Sequence, residues 1–251
     1  MIEIDNIYNM DCLEGMKQIP DGSIDLIVTD PPYRVTSRGG SANSMSGYWV
    51  SEKARKGRIF DDNDIKIEEY LPEFFRVLKN DAHCYIMCNN LNLPHFFEVI
   101  SKSQFHFVKL LVWNKGQAIC GRYYMGQVEH IFLLRKGKDK PVNDCGISDL
   151  LTVPLLRDKD QQGNNIHDSQ KPVPLFQVFI RQSTDEGQTI LDPFMGSATA
   201  AIAAIRENRH FVGFELNKEY FDKANNRIQS TKRYNQMSLF DTTDNAPNPD
   251  Y

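Results

Sequence analysis

The segment from Asp30 to Tyr33 combines residue types that can hold a planar amine. It reads Asp-Pro-Pro-Tyr and follows a short apolar run, rich in β-branched residues, that begins at Ile24. Pro31 and Pro32 fix their own φ angles and disfavour helix before them, so Asp30 and Tyr33 keep fixed relative positions. The carboxylate and a prolyl carbonyl can then accept the hydrogens of an exocyclic amine while the tyrosine ring stacks on the group. The alternative is a strand end with a capping aspartate and a surface tyrosine.

A second set of candidate residues follows another strand-like run. This run ends at Asp192 and leads through a turn at Gly196 into an alanine-rich helix that begins at Thr199. The unpaired N–H groups of such a helix start face the carboxyl ends of the strands, where open α/β sheets bind ligands. Glu215 ends the next strand-like run, about 20 residues after the glycine, which is the spacing of an acid that accepts ribose hydroxyls. Because the full three-glycine dinucleotide fingerprint is absent, the pattern favours a site for one nucleoside.

Apolar patterns along the chain predict alternating helices and strands. Strands are expected at residues 2–5, 24–29, 83–87, 105–113, 126–135, 189–192 and 210–215, and helices at residues 12–17, 68–78, 96–101, 174–180 and 199–207. Alternation of this kind predicts an α/β fold with a doubly wound, mostly parallel sheet. In such a sheet both candidate sets lie at the same edge.

The predicted organisation is one domain over residues 1–232 and a flexible tail over residues 233–251. Residues 34–64 are expected to form a mobile loop and residues 137–166 a short connector, because both stretches are polar and lack sustained periodicity. Between residues 34 and 60 the loop has a single acid and six basic residues, which are Arg34, Arg38, Lys53, Arg55, Lys56 and Arg58, with Tyr48 and Trp49 between them. Basic loops with aromatic residues bind nucleic-acid strands, and a solvated charged surface is the alternative.

Composition narrows the class of protein. The chain has 251 residues, 41% of them hydrophobic, and a formal net charge of −4, which argues against a histone-like binder of polyanions. The N-terminal stretch mixes apolar and acidic residues and no apolar run reaches membrane-spanning length, so we expect a cytoplasmic protein with no membrane partner. The five cysteines are scattered, and Cys84 and Cys88 have no second pair to complete a metal site. No metal is therefore predicted.

Taken together, these segments resemble S-adenosylmethionine-dependent amino-group DNA methyltransferases of the circularly permuted beta class. Asp30–Tyr33 matches the catalytic motif of that family, and Asp192–Ser197, which reads Asp-Pro-Phe-Met-Gly-Ser, matches its cofactor loop. His167–Pro172 resembles the motif that precedes the cofactor loop, and Asn9–Glu14 resembles the segment that meets the adenine of the cofactor. The resemblance implies a Rossmann-like methyltransferase fold and S-adenosylmethionine as cofactor.

The resemblance also implies a role for each site residue. Asp30 accepts hydrogen bonds from the target amine, Pro31 orients the amine through its carbonyl, and Tyr33 stacks on the flipped base. The implied cofactor-binding residues are Asp11, Cys12, Lys171, Asp192, Phe194, Gly196, Ser197, Thr199 and Glu215. Among them, Lys171 is expected near the methionine carboxylate, Glu215 on the ribose and Asp11 on the adenine. For Asp11, an N-cap of the following short helix is an equal alternative.

The sequence departs from the family pattern at Ala198, where the family usually has a second glycine. This difference predicts a tighter turn or weaker cofactor binding, and it is the only hint of an inactive nucleic-acid binder. The implied activity is methylation of N6 of adenine in DNA, because Asp30 as first motif residue resembles the adenine-modifying members. Alternatives are N4-cytosine methylation and methylation of single-stranded DNA or RNA. The single-stranded substrates are favoured by a connector that is too short to be a large recognition domain. A nicotinamide oxidoreductase is opposed by the missing glycines.

The tail contains a short apolar cluster in a hydrophilic context. Its five residues, Gln236, Met237, Ser238, Leu239 and Phe240, resemble the Gln-Leu-Ser-Leu-Phe peptide with which bacterial proteins bind the replication sliding clamp. The alternative is that the apolar residues pack back on the domain. The expected partners are thus DNA, duplex or single-stranded, and the sliding clamp, and the sequence leaves a homodimer open.

Overall fold

A computed structural model describes residues 2–32, 65–119, 124–155 and 170–240, without the side chains of residues 119 and 236–240. The strands are β1 (Asn6–Tyr8), β2 (Ile24–Thr29), β3 (Leu78–Cys88), β4 (His106–Ile119), β5 (Gly126–Arg135), β6 (Leu150–Thr152), β7 (Thr189–Asp192) and β8 (His210–Phe214). The helices are α1 (Cys12–Met16), α2 (Ile67–Val77), α3 (Leu93–Lys102), α4 (Val173–Ser183), α5 (Thr199–Arg206) and α6 (Lys218–Phe240).

The eight strands form one sheet in the order β1-β8-β7-β2-β3-β5-β4-β6. All neighbours are parallel except β5, which runs antiparallel to both β3 and β4. The expected α/β fold with a mostly parallel sheet is confirmed. Because β2 lies between β7 and β3 near the centre, its carboxyl end faces the edge at which parallel sheets bind ligands.

Helices cover both faces of the sheet, which explains the continuous apolar run of β2. Leu26 and Val28 pack on the face covered by α4, α5 and α6, whereas Ile27 packs on the opposite face with α1, α2 and α3. Every residue of β2 is buried. A strand enclosed on both sides has no solvent-facing positions, so its sequence does not alternate.

Most expected elements are present, although several ends differ, such as those of β3, which begins at Leu78, and β4, which continues to Ile119. The first strand begins at Asn6, because Asp5 adopts a left-handed φ of 61° and its carboxylate accepts a hydrogen bond from the N–H of Phe211. The connector contains a short strand, β6, which adds to the edge of the sheet beside β4. Helix α6 continues to Phe240, so the expected domain end at residue 232 lies inside a helix.

Candidate active site

Asp30 leaves the sheet at the carboxyl end of β2. Its side chain is 21% exposed, Pro31 is buried and Pro32 is partly buried. The neighbouring strand β7 runs parallel to β2, with Leu26 beside Ile190, and its last residue is Asp192. The two aspartates that the sequence places at strand ends therefore lie at the same edge.

Asp192 is a buried carboxylic acid with fixed hydrogen bonds. Its Oδ1 accepts from the Thr29 hydroxyl at 2.6 Å and from the N–H of Phe194 at 3.1 Å. Burial raises the pKa of Asp192 to about 7, and the nearby charges of Asp30 and Glu215 act in the same direction. A buried acid with this pKa is well placed to face a cationic ligand, because a positive charge relieves the cost of ionising it.

The turn that follows Asp192 is bonded to β8. The N–H of Met195 donates to the carbonyl of Phe214 at 2.9 Å, and the N–H of Gly196 donates to the Glu215 carboxylate at 2.8 Å. Gly196 has a φ of 50° and Ala198 a φ of 64°, both in the left-handed region. Ala198 thus keeps the backbone conformation that suits a glycine, at a cost of about 1 kcal/mol.

Glu215 and Asp11 lie further along this edge, after β8 and β1. Besides Gly196, the N–H of Asn217 donates to Glu215 at 2.8 Å, and burial raises the pKa of the glutamate. The side-chain amide of Asn9 donates to the backbone carbonyl of Glu215 at 2.8 Å, because β1 pairs with β8. This pairing brings Asp11, two residues further on, to the edge.

The local structure confirms the N-cap interpretation of Asp11. Its carboxylate accepts from the N–H of Leu13 at 2.9 Å and of Glu14 at 3.2 Å, at the start of α1. Contact between Asp11 and a cofactor adenine stays a prediction. The Cys12 thiol is buried in the core, where burial and then the charge of Asp11 raise its pKa to about 12. Cys12 is therefore a neutral side chain directed into the core.

The other expected cofactor residues anchor the turn to its surroundings. The ring of Phe194 packs edge-on against Tyr70, with 5.3 Å between ring centroids. The backbone carbonyl of Ser197 accepts from the Arg227 guanidinium at 2.7 Å. The hydroxyl of Thr199 donates to the carbonyl of Lys171 at 3.1 Å, which links the start of α5 to the segment before α4.

Lys171 contacts the candidate catalytic aspartate. Its ammonium donates a short hydrogen bond to Asp30 Oδ2 and lies 3.8 Å from Glu129 Oε2. Glu129 Oε1 in turn lies 2.6 Å from the ammonium of Lys115. Glu129 and Lys115 belong to no sequence motif, and the only available signal was a glutamate at the start of the apolar strand β5, whose antiparallel direction brings its first residues to the site.

Several expected site residues lie outside the described part of the chain. They are Tyr33, the basic residues Arg34, Arg38, Lys53, Arg55, Lys56 and Arg58, and the residues 167–169 of the segment before Lys171. Among the residues that are described, no group of three or more His, Cys, Asp or Glu side chains could hold a metal ion. Within the same ranges, no helix has the length and apolar character needed to cross a membrane.

The side chains at this edge fit S-adenosylmethionine. The cofactor carries a sulfonium and an ammonium, and Asp192 offers a buried acid whose ionisation a cation would favour. Glu215 offers a carboxylate that Gly196 and Asn217 hold in place, and carboxylate oxygens have lone pairs left to accept ribose hydroxyls. Asp192 is the last residue of β7, and Glu215 directly follows β8, the neighbouring parallel strand.

Comparison with known proteins gives the same family. The family model described as DNA methylase, for N6 and N4 methyltransferases, matches residues 24–226. Type II methyltransferase M.HinfI of Haemophilus influenzae is 26% identical, over 91% of this chain and 69% of its own length. DNA adenine methyltransferase YhdJ of Escherichia coli (strain K12) is 27% identical, over 94% of this chain and 87% of its own length.

Solved structures share the fold. The M1.HpyAVI–SAM complex superposes with a TM-score of 0.64 at 24% identity, covering 88% of this chain and 98% of that one. The cytosine-N4-specific PvuII DNA methyltransferase superposes with a TM-score of 0.67 at 17% identity, covering 94% of this chain and 93% of that one. With a family model that covers most of the sequence, the chain belongs to the DNA methylase family of S-adenosylmethionine-dependent N6-adenine and N4-cytosine amino-methyltransferases.

Proposed function

We propose that this protein transfers the methyl group of S-adenosylmethionine to N6 of an adenine in DNA, with Asp30 as the residue that binds the target amine. The observation that carries the proposal is the position of Asp30. Its carboxylate ends β2 directly beside the strand that ends in Asp192, so a substrate amine and a cofactor fit at one edge. Aspartate as the first motif residue and a relative named as an adenine methyltransferase support adenine over cytosine.

The chemistry requires that the amine nitrogen present its lone pair. In a nucleobase this lone pair is delocalised into the ring, which makes the nitrogen a weak nucleophile. The Asp30 carboxylate and the Pro31 carbonyl would accept its two hydrogens, favour tetrahedral geometry and direct the lone pair out of the ring plane. The bound cofactor supplies an electrophilic methyl group on a sulfonium. No covalent intermediate with the protein is needed.

The other carboxylates hold the cofactor end of the site. Asp192 would face the positively charged methionine portion, and the turn at Gly196 leaves space beside it because it has no side chain. Glu215 would accept the ribose hydroxyls, since its orientation is already set by two backbone N–H groups. Asp11 would contact the adenine from the start of α1.

The target amine lies inside the DNA duplex, so the base must be extruded before it can react. We propose that Tyr33 stacks on the extruded base and that the basic residues of the 34–64 loop contact phosphates. Single-stranded DNA would avoid the unstacking cost, and N4-cytosine methylation remains the alternative reaction of this family. Comparing methylation of duplex and single-stranded DNA of the same sequence shows which of the two is the substrate.

Substitution of Asp30 tests the central assignment. The protein is incubated with DNA and isotopically labelled S-adenosylmethionine, and the nucleosides are identified by mass spectrometry. We expect labelled N6-methyladenine from the native chain, no product from Asp30→Ala, and nearly unchanged cofactor affinity, because Asp30 faces the amine and not the sulfonium. Labelled N4-methylcytosine would show that the target base is cytosine and not adenine. Lost cofactor binding with residual turnover in Asp30→Ala would reject the assigned role.

We further propose that residues 236–240 bind a bacterial sliding clamp and that the protein acts in the cytoplasm. The clamp motif forms the end of α6, a helix that is largely polar along its length. A peptide of residues 234–242 should bind the clamp with micromolar affinity, the scale of a small interface. No binding at about 100 μM, or binding that survives Leu239→Ala with Phe240→Ala, would reject this partner.

Sedimentation of the full chain decides whether it forms a homodimer.

A further inference from the structure

Four side chains of alternating charge form a row that ends at the catalytic aspartate, and we call them the charge row. Its members are Lys115 on β4, Glu129 on β5, Lys171 before α4, and Asp30 after β2. Lys115 Nζ lies 2.6 Å from Glu129 Oε1. On the other side, Glu129 Oε2 lies 3.8 Å from Lys171 Nζ, and that ammonium donates to Asp30. Four elements that are distant in sequence thus converge behind one carboxylate.

The charge row is shielded from water along its length. The side chains of Lys115, Glu129 and Lys171 are 14%, 18% and 10% exposed. In such surroundings, an ion pair that loses one partner leaves an uncompensated charge, which costs far more than an exposed pair is worth. With two positive and two negative members, the row is neutral, and loss of any single member leaves one charge uncompensated.

Glu129 has no role in the mechanism described above. Its backbone pairs with Trp113 of β4, and the next residue, His130, pairs with Cys88 at the end of β3. Among the described residues, its Oε2 is buried without a hydrogen-bond partner, although it points to within 3.8 Å of the Lys171 ammonium. Burial acts to raise the pKa of Glu129, but Lys171 and Lys115 outweigh it and hold that pKa below the ordinary value. Glu129 is thus a buried, ionised carboxylate.

We propose that Glu129 is a positioning residue, held by Lys115, that keeps the Lys171 ammonium on Asp30 and thereby orients Asp30 toward the target amine. This inference rests on the proposed function, in which Asp30 binds that amine. Lys171 alone could follow Asp30 in any direction, because its side chain has four flexible bonds. A second carboxylate on the far side of the ammonium restricts it to one position. Lys115 balances the charge of Glu129 and so removes the cost of burying it.

The arrangement gives Lys171 a task different from the one that the motif implies. Its ammonium contacts the substrate-side carboxylate, while its backbone carbonyl accepts from Thr199 at the start of the cofactor helix. Lys171 therefore connects the two halves of the site. The orientation of Asp30 depends on Glu129 through this lysine, although Glu129 touches neither substrate nor cofactor.

The test compares Glu129→Gln with a matched control, Asp25→Asn. Asp25 lies near the start of β2, at the opposite end of the strand from Asp30. It is 8% exposed and lies 2.6 Å from the Lys79 ammonium. Both substitutions remove one carboxylate from a partly or fully buried ion pair, but only Glu129 belongs to the charge row. The full-length variants are assayed for kcat and KM at equal folded fractions. Nuclear magnetic resonance of ¹⁵N-labelled lysine, assigned with Lys171→Met, follows hydrogen exchange of the Lys171 ammonium.

We expect Glu129→Gln to lower kcat about tenfold or more while both KM values stay within about twofold, and to accelerate exchange at Lys171. Asp25→Asn should change neither quantity. Adding Lys115→Met to Glu129→Gln should leave kcat about as low as in Glu129→Gln alone, because a balanced charge does not replace the carboxylate that holds Lys171. Lys115→Met by itself should also lower kcat, and it replaces Glu129→Gln in the test if that variant does not fold.

Three results would overturn the inference. They are native kcat and native exchange in Glu129→Gln, an equal loss in Asp25→Asn, and recovery of native kcat in the double variant, which would mean that charge balance and not position matters. If the native chain methylates no DNA, the proposed function fails, and the exchange of the Lys171 ammonium still decides whether Glu129 holds it. Protected exchange in native protein that Glu129→Gln leaves intact would reject the positioning role independently of any activity.

Discussion

Replacing Asp192 by asparagine should make the protein more stable at neutral pH and weaken cofactor binding. The Thr29 hydroxyl and the Phe194 N–H both donate to Oδ1, an oxygen that asparagine retains. The substitution therefore removes the charge and keeps these two hydrogen bonds. Its effect on stability follows from the pKa of the buried acid.

The pKa of Asp192 is raised from 3.8 to about 7 in the folded chain. The folded state thus binds the proton more tightly than the unfolded state, so stability falls as pH rises from about 4 to about 7 and is level above. A difference of about three pKa units corresponds to about 4 kcal/mol over the whole range, of which about 3 kcal/mol falls between pH 5 and pH 8. Asparagine has no such dependence.

Urea unfolding of both proteins at pH 5, 6, 7 and 8 measures this difference. We expect the free energy of unfolding of Asp192→Asn to gain about 3 kcal/mol on that of the native chain between pH 5 and pH 8. Any constant cost of the new amide cancels in the comparison. Thr29→Val provides a directional control, because loss of the donated hydrogen bond should raise the pKa of Asp192 further and move the transition to higher pH.

A difference in stability that does not change with pH would refute the reasoning, since it would mean that Asp192 is ionised with an ordinary pKa. The substitution should have the opposite effect on the affinity for the cofactor. At pH 8, Asp192→Asn should bind S-adenosylmethionine about tenfold or more weakly, because it loses a carboxylate that faces a cation. Higher stability together with weaker binding would exclude simple misfolding as the cause.

Three further outcomes are expected. Glu215→Ala should raise the cofactor dissociation constant about tenfold or more, since a charge-assisted hydrogen bond contributes about 1.5–3 kcal/mol, and an unchanged constant in calorimetry would assign Glu215 a purely structural role. Gly213→Ala should lower the free energy of unfolding in urea by about 1–3 kcal/mol, because the added Cβ would lie 2.0 Å from Met195 Cε and 3.0 Å from the carbonyl oxygen of Asp192, and native stability would contradict that packing. Reversing the four basic residues of the 53–58 segment to Glu should weaken DNA binding and flatten the slope of log affinity against log salt by about 0.9 per lost phosphate contact, whereas an unaltered slope would mean that these charges are only solvated.

The arrangement of the three main carboxylates of the site follows from the sequence. Asp30 and Asp192 each follow a continuous apolar run, and such runs are buried parallel strands whose carboxyl ends share one edge. This rule places the aspartates together before any coordinates are known. The same rule places Glu215 one strand further on, where β8 pairs with β7.

The way in which these residues are held and charged depends on the folded chain as a whole. The raised pKa of Asp192 comes from burial and from the nearby Asp30 and Glu215 charges, which depends on the whole fold. No turn signal in the sequence marks Gly213. A glycine is required there because the side chain of Met195 occupies the space that a Cβ would fill. Glu129 is separated from Asp30 by about a hundred residues and belongs to no motif. It reaches Lys171 because β5 runs antiparallel to its neighbours, and the pairing of distant strands is set by packing of the whole sheet and not by local sequence.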